Sequence, residues 1–131
     1  MDPDCPLNLS EALRGAAGRP EILRQIVHVF LRDLPHRMSG LEAALASGDA
    51  NAVEDISHAL KGAVGTLRAA AAQQLAERLE RLGREDQLHE ARQTFDALRV
   101  ETGRLAEFLR EPDWHGGLAD PGVSGPGSPP C

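Results

Sequence analysis

The chain has 131 residues, a formal net charge of −6 and 26% charged residues, with three Phe, one Trp and no Tyr. Alanine, leucine, arginine and glutamate dominate, which favours a soluble helical protein over a β-sandwich. The length fits one domain with one core and excludes a nucleotide-binding catalytic domain followed by a second domain.

Charge and hydropathy argue against several kinds of partner. The acidic balance and the dispersed arginines exclude a basic nucleic-acid-binding patch. No apolar run approaches the roughly 20 residues that span a bilayer, and the N-terminus does not resemble a signal peptide. Cys5 and Cys131 lie at opposite ends of the chain, so we expect no disulfide framework, no metal site and a cytoplasmic location.

Residues 8–110 form the predicted domain, and residues 111–131 form a tail rich in Gly and Pro that we expect to be disordered. The domain opens with a short extra helix over residues 9–17, for which Asn8 or Ser10 is the N-cap.

Four long helical patterns follow the short one. They begin at Pro20, at residue 50, at residue 70 and at residue 86, and they end at Gly48, at residue 67, at residue 82 and at residue 110. Short connections between long amphipathic helices predict an all-α, antiparallel up-down four-helix bundle. No Gly, Pro or capping residue marks the turn that such a bundle requires between residues 67 and 70.

Particular residues are expected to kink, end or cap these helices. Pro35 should kink the first long helix near Leu31 or restart it, because its ring nitrogen cannot donate a backbone hydrogen bond. Gly48 should end that helix, and Asp49 should cap the next one. Gly83 is predicted to be the C-cap of the third.

The helix over residues 50–67 carries an unusual outward face. Its core stripe is apolar and consists of Val53, Ile56, Leu60, Val64 and Leu67. At about 100° per residue, His58 lies about 165° from the middle of that stripe and therefore points to solvent. Gly65, Gly62 and Lys61, the only lysine of the chain, lie within about 60° of His58 on the same wheel.

Two glycines within one helix cost on the order of 1 kcal/mol each relative to alanine, which this chain uses freely elsewhere. Gly62 and Gly65 lie on the outward face, where core packing should not explain them. They remove side-chain bulk around His58, so another macromolecule can approach its imidazole closely.

This arrangement suits the transfer of a phosphoryl group. A neutral imidazole nitrogen is a good nucleophile near physiological pH, and a nearby ammonium offsets part of the phosphoryl charge. Lys61 would supply that ammonium, and Arg68, seven residues later, is a possible auxiliary cation. Because no second nucleophile or phosphate-binding loop accompanies His58, we expect a carrier without autonomous catalysis.

Other titratable and aromatic residues have simpler interpretations. Four further histidines share no metal-binding spacing: His28, His36, His89 and His115. The three Phe residues are interpreted as core. A charged cluster is interpreted as a solvated helix face with i,i+4 pairs and comprises Glu77, Arg78, Glu80, Arg81, Arg84 and Glu85.

Residues 57–67, which read Ser-His-Ala-Leu-Lys-Gly-Ala-Val-Gly-Thr-Leu and follow Gly48-Asp49, closely resemble the His-x-Leu-Lys-Gly signature of histidine phosphotransfer (HPt) domains. The resemblance extends over residues 20–109 and includes the stretch from Phe30 to Pro35 and the helix from Leu75 to Glu80. One departure is Arg68, where many members of the family have Gly.

The resemblance implies a helical bundle whose His58 accepts a phosphoryl group at Nε2 from a receiver-domain aspartate and passes it to another. Lys61 would stabilise the phosphohistidine, and Gly62 would grant access. The expected partners are receiver domains of response regulators and of a hybrid sensor histidine kinase. The receiver would supply Mg²⁺, so the resemblance implies no cofactor in this chain. We expect the carrier to be a monomer that binds neither nucleic acid nor membrane.

Two alternatives remain open. The chain can be a helical-bundle adaptor that binds a receiver or a kinase without chemistry. It can also be the phosphoacceptor piece of a chemotaxis-type kinase, although no ATP-binding domain follows the Gly/Pro-rich tail.

Overall fold

Five helices make up the computed structural model, which describes residues 6–110. They are α1 (Leu9–Gly15), α2 (Pro20–Ser47), α3 (Ala50–Thr66), α4 (Ala70–Arg84) and α5 (Leu88–Arg110). Helices α2 to α5 pack against their neighbours in sequence, and α5 returns to α2, which closes an antiparallel up-down bundle. The all-α prediction is therefore confirmed, while the predicted C-terminal tail, residues 111–131, lies outside the described residues.

Leucine supplies most of the core. The fully buried large side chains come from all five helices and the α3–α4 turn: Leu9, Leu23, Leu41, Val53, Leu60, Val64, Leu67, Leu79, Leu98, Leu105 and Leu109. Burial of each such side chain contributes roughly 1.5–3 kcal/mol relative to an exposed one. This core holds α3 between α2 and α4, with one face of α3 directed to solvent.

Three helix ends form as their residue types predict. Asn8 caps α1, since its side-chain oxygen accepts a hydrogen bond of 3.1 Å from the amide of Glu11. Asp49 caps α3 in the same way through the amide of Ala52, at 3.0 Å. Gly48 ends α2 in the left-handed conformation, with φ of 76°.

The predictions for two individual residues need correction. Helix α2 continues through Pro35, so the restart that the sequence allowed does not occur. Gly83 is not a C-cap, because α4 continues to Arg84. A Cβ at Gly83 would lie 2.8 Å from the backbone nitrogen of Glu54, so this buried glycine permits the close approach of α4 to α3.

A non-glycine residue makes the turn between α3 and α4. Arg68 adopts the left-handed conformation with φ of 56°. Its amide donates to the carbonyl of Gly65, and the amide of Ala69 donates to that of Val64, both at 3.0 Å. This is the hydrogen-bond pattern of a Schellman motif, a helix ending in which glycine is the usual left-handed residue. The amide of Asn8 donates to the Arg68 carbonyl and so fastens the start of α1 to the turn.

Candidate functional site

His58 projects from the middle of α3 into solvent. Its side chain is 69% exposed, whereas Val53, Leu60 and Val64 on the opposite face are fully buried. The orientation matches the prediction from helical geometry. An imidazole in this position is accessible to another macromolecule.

A carboxylate of the next helix contacts His58. Nδ1 of His58 lies 2.8 Å from Oε2 of Glu80 on α4, and the Glu80 side chain is only 8% exposed. The interpretation of Glu80 as part of a solvated face is therefore wrong. Glu80 follows the buried Ala76 by one turn and precedes the buried Gly83 by one turn, so it lies at the edge of the stripe that packs on α3. That spacing is the sequence signal that could have revealed it.

Lys61 binds the other oxygen of the same carboxylate. Its Nζ lies 2.7 Å from Oε1 of Glu80, and its side chain is 29% exposed. The hydrogen bond from Lys61 lowers the pKa of Glu80; burial opposes this shift, and the hydrogen bond with His58 reinforces it. Glu80 is therefore ionised at neutral pH, with one oxygen on His58 and the other on Lys61.

Arg84 extends this cluster back to α3. Its Nε lies 2.8 Å from Oε2 of Glu54, and its Nη2 lies 3.3 Å from Oε2 of Glu80. The guanidinium thus joins two carboxylates, one on each helix. We call Glu54, Glu80, Lys61 and Arg84 the ionic cluster; its two negative and two positive charges cancel.

The two outward glycines of α3 differ in their surroundings. Gly62 is exposed, and a Cβ built there meets nothing within 4 Å outside its own helix. A Cβ at Gly65 would lie 2.9 Å from Nε2 of Gln73. Gln73 is exposed, and the contact is with the end of its flexible side chain, so core packing does not require glycine at position 65.

Arg68 lies at the α3–α4 turn, ten residues after His58. Its guanidinium lies against α1, where Nη2 is 3.6 Å from the place of a Cβ on Gly15. It also lines a polar recess of about 390 Å³ that reaches Lys61 and Gly62. The structure therefore places Arg68 on the same surface as the ionic cluster but in the turn beyond it.

An apolar groove of about 360 Å³ runs along the other side of α3, between α3 and α2. Val29, which is 42% exposed, is one of the residues that line this groove. Its remaining lining is mostly apolar and comprises Ile22, Gln25, Ile26, Phe30, Asp33, Arg37, Ala63 and Thr66. The ionic cluster therefore adjoins His58 on the α4 side, and the apolar groove lies on the α2 side of α3, where its lining residues Ala63 and Thr66 follow His58 by five and eight positions.

Within residues 6–110, no three His, Cys, Asp or Glu side chains come close enough together to hold a metal ion. The helices of that range include none long and apolar enough to cross a membrane.

Comparisons with known proteins identify the family and the fold. Residues 25–108 match the family model described as Hpt domain, and the chain therefore belongs to that family. The fold is similar to that of histidine-containing phosphotransfer protein B (HptB) from Pseudomonas aeruginosa PAO1, with a TM-score of 0.75 and 20% sequence identity over 82% of this chain and 93% of that one. A search of curated proteins finds no match.

Family membership makes this chain a histidine phosphotransfer protein of a phosphorelay. Hpt domains interact with receiver domains in such relays.

Proposed function

We propose that this protein is a phosphocarrier of a multistep His-Asp phosphorelay, which moves a phosphoryl group between receiver-domain aspartates through His58. The observation that carries the proposal is the contact of His58 Nδ1 with the buried, ionised Glu80, which leaves Nε2 directed away from the bundle.

The contact with Glu80 determines which ring nitrogen can react. An ionised carboxylate only accepts hydrogen bonds, so Nδ1 of His58 carries the proton and donates it to Oε2 of Glu80. Nε2 then holds the unshared electron pair. Glu80 thereby favours the tautomer in which the solvent-exposed nitrogen is the nucleophile.

The transfer step follows from this tautomer. The Nε2 electron pair of His58 attacks the phosphorus of an aspartyl phosphate, an N–P bond forms, and the P–O bond to the aspartate breaks. The aspartate leaves as a carboxylate with the electrons of that bond. The proton stays on Nδ1, so the positive charge on the ring develops beside Glu80. The reverse sequence passes the phosphoryl group to the aspartate of a second receiver.

Lys61 and Gly62 support this step in different ways. Lys61 offers an ammonium on a flexible chain within reach of the same face, where it offsets the phosphoryl charge. Gly62 lies one turn after His58 and leaves the surface open for the incoming domain. Because the receiver brings the metal ion and the reacting aspartate, the chain acts as a carrier without its own enzymatic activity.

The receiver domain must cover more than His58. A standard interface buries about 800 Å² per partner, which corresponds to a disc of roughly 16 Å radius. Thr66, at the edge of the apolar groove, lies eight residues from His58 on α3, a distance of about 12 Å. We therefore propose that the face of the receiver that carries its aspartate covers Gly62 and packs apolar side chains into the groove at Val29.

Labelling from a phosphorylated receiver tests the proposal. The receiver domain is charged with radioactive phosphate, freed of excess donor and mixed with the full chain or with variants. We expect label that is acid-labile and base-stable on the wild type and on His28→Gln, which removes another exposed histidine. His58→Gln should take no label. Binding without any labelling would support the adaptor instead, and a labelled His58→Gln variant would contradict the assignment of the site.

A further inference from the structure

Arg84 belongs to the ionic cluster but has no part in the transfer step described above. It belongs to α4, one turn after Glu80, and its guanidinium bridges Glu80 and Glu54 at 3.3 and 2.8 Å. A planar guanidinium has five donors in a fixed arrangement and can serve two carboxylates at once, which a lysine ammonium does with less definition. Arg84 also shares Oε2 of Glu80 with His58.

The charge count changes when His58 is phosphorylated. The ionic cluster is neutral before transfer, and a phosphoryl group adds close to two negative charges at neutral pH. If Lys61 turns toward that group, it leaves Oε1 of Glu80, and this carboxylate is almost fully buried. A buried carboxylate without a cation is unfavourable, so Glu80 would hold Lys61 back unless another cation stayed with it.

We propose that Arg84 is a positioning residue of the phosphotransfer site, which keeps Glu80 paired and in place while Lys61 turns to the phosphoryl group. The inference rests on the proposed function. Glu54 contributes by fixing the guanidinium against α3, one turn before His58. Arg84 thus acts on the phosphohistidine through Glu80 and Lys61 and does not contact the reacting atoms.

The lifetime of the phosphohistidine tests this role. Arg84→Gln, Lys61→Gln and the double variant are phosphorylated by the same receiver, separated from it and followed over time. Arg78→Gln, which removes another exposed arginine of α4, is the matched control. We expect Arg84→Gln to shorten the half-life about two- to fivefold, the range produced by a partly exposed ion pair. Arg78→Gln should not change it, and Arg84→Lys should restore part of it.

The double variant distinguishes an effect of Arg84 that acts through Lys61 from a general loss of protein stability. If Arg84 acts through Lys61, adding Arg84→Gln to Lys61→Gln should leave the half-life unchanged. An unaltered half-life in Arg84→Gln, or equal shortening with and without Lys61, would overturn the proposal.

A second readout requires no phosphorylation. Nitrogen-15 spectra of the His58 ring should show mixed tautomers in Arg84→Gln and a single one, protonated at Nδ1, in the wild type and in Arg78→Gln. If the wild type takes no phosphoryl group, the proposed function fails, and these spectra alone decide whether Arg84 positions Glu80. Identical spectra in wild type and Arg84→Gln would then refute the inference.

Discussion

Nδ1 of His58 and Oε2 of Glu80 lie 2.8 Å apart, although the two residues belong to different helices and are 22 positions apart in sequence. The exposed imidazole is thereby hydrogen-bonded to a buried carboxylate. Because an ionised carboxylate only accepts hydrogen bonds, this contact favours the tautomer that is protonated at Nδ1. The orientation of the His58 ring thus depends on how α4 packs on α3.

Replacing Glu80 by Gln should change the response of stability to acid. The pKa of Glu80 is lowered in the folded chain, so the stabilisation from its ionised form is complete above the unfolded pKa of about 4.3. It is lost as pH falls through the lower, folded value. Urea unfolding between about pH 6 and pH 3 should show a steeper loss in wild type than in Glu80→Gln. Glu77→Gln, an exposed neighbour on α4, should behave like wild type; equal slopes for wild type and Glu80→Gln would contradict the lowered pKa.

Substitutions at Gly62 distinguish an effect on helix stability from an effect on the access of the receiver to His58. Gly62→Ala should raise the free energy of unfolding by up to about 1 kcal/mol, since a Cβ there meets open space. Gly62→Gln should slow phosphotransfer from the receiver, because its side chain obstructs docking beside His58.

Gly103 provides the matched control for this experiment. It is an exposed glycine of α5 where a Cβ also meets nothing within 4 Å. Gly103→Gln should gain helix stability in the same way and transfer phosphate at the wild-type rate. A Gly62→Gln variant that transfers as fast as Gly103→Gln would show that Gly62 does not serve access.

Gly83 should be intolerant of substitution. The Cβ of Gly83→Ala would lie 2.8 Å from a backbone nitrogen of α3, which cannot move without shifting the helix. We expect a loss of about 1–3 kcal/mol in the free energy of unfolding, in the range of overpacked cores, measured by chemical denaturation. The shift of α4 should also lengthen the contact of Glu80 with His58, visible as mixed ring tautomers. An unfolding free energy equal to that of wild type would mean that the close approach is unnecessary.

The apolar groove should govern receiver affinity and leave the chemistry unchanged. Val29→Asp places a charge in the groove and should raise the KM for the phosphorylated receiver about tenfold, equivalent to roughly 1.4 kcal/mol, without changing the rate at saturation. Val100→Asp is the control, because Val100 is the other well-exposed large hydrophobic residue of the described chain and lies on α5. Equal KM values for the two variants would place the docking surface elsewhere.

The outward direction of the His58 side chain could be predicted from the sequence, because it depends on α3 alone. The spacing of Val53, Leu60 and Val64 sets the buried side of α3, and the position opposite is then determined by helical geometry. The helix caps at Asn8 and Asp49 were predictable for the same reason, since each involves residues three positions apart.

Features that depend on the packing of two helices did not follow in the same way. In the sequence, Glu80 is one of several charged residues on an amphipathic helix. Its burial becomes apparent only when α4 is packed against α3. From the sequence alone, Gly83 is interpreted as a helix end, and its role in packing appears only when Glu54 is brought beside it. The turn at Arg68 could be inferred only from the needs of the bundle, because the tertiary structure imposes a left-handed residue where the sequence has no glycine.

The most direct test of the central claim is the site of phosphorylation within the imidazole ring. Long-range proton–nitrogen-15 spectra of the chain, recorded before and after transfer from a phosphorylated receiver, report the tautomer of His58 and the nitrogen that carries phosphorus. The geometry predicts a proton on Nδ1 in the starting chain and the phosphoryl group on Nε2 after transfer. A phosphoryl group on Nδ1, or on any residue other than His58, would contradict it.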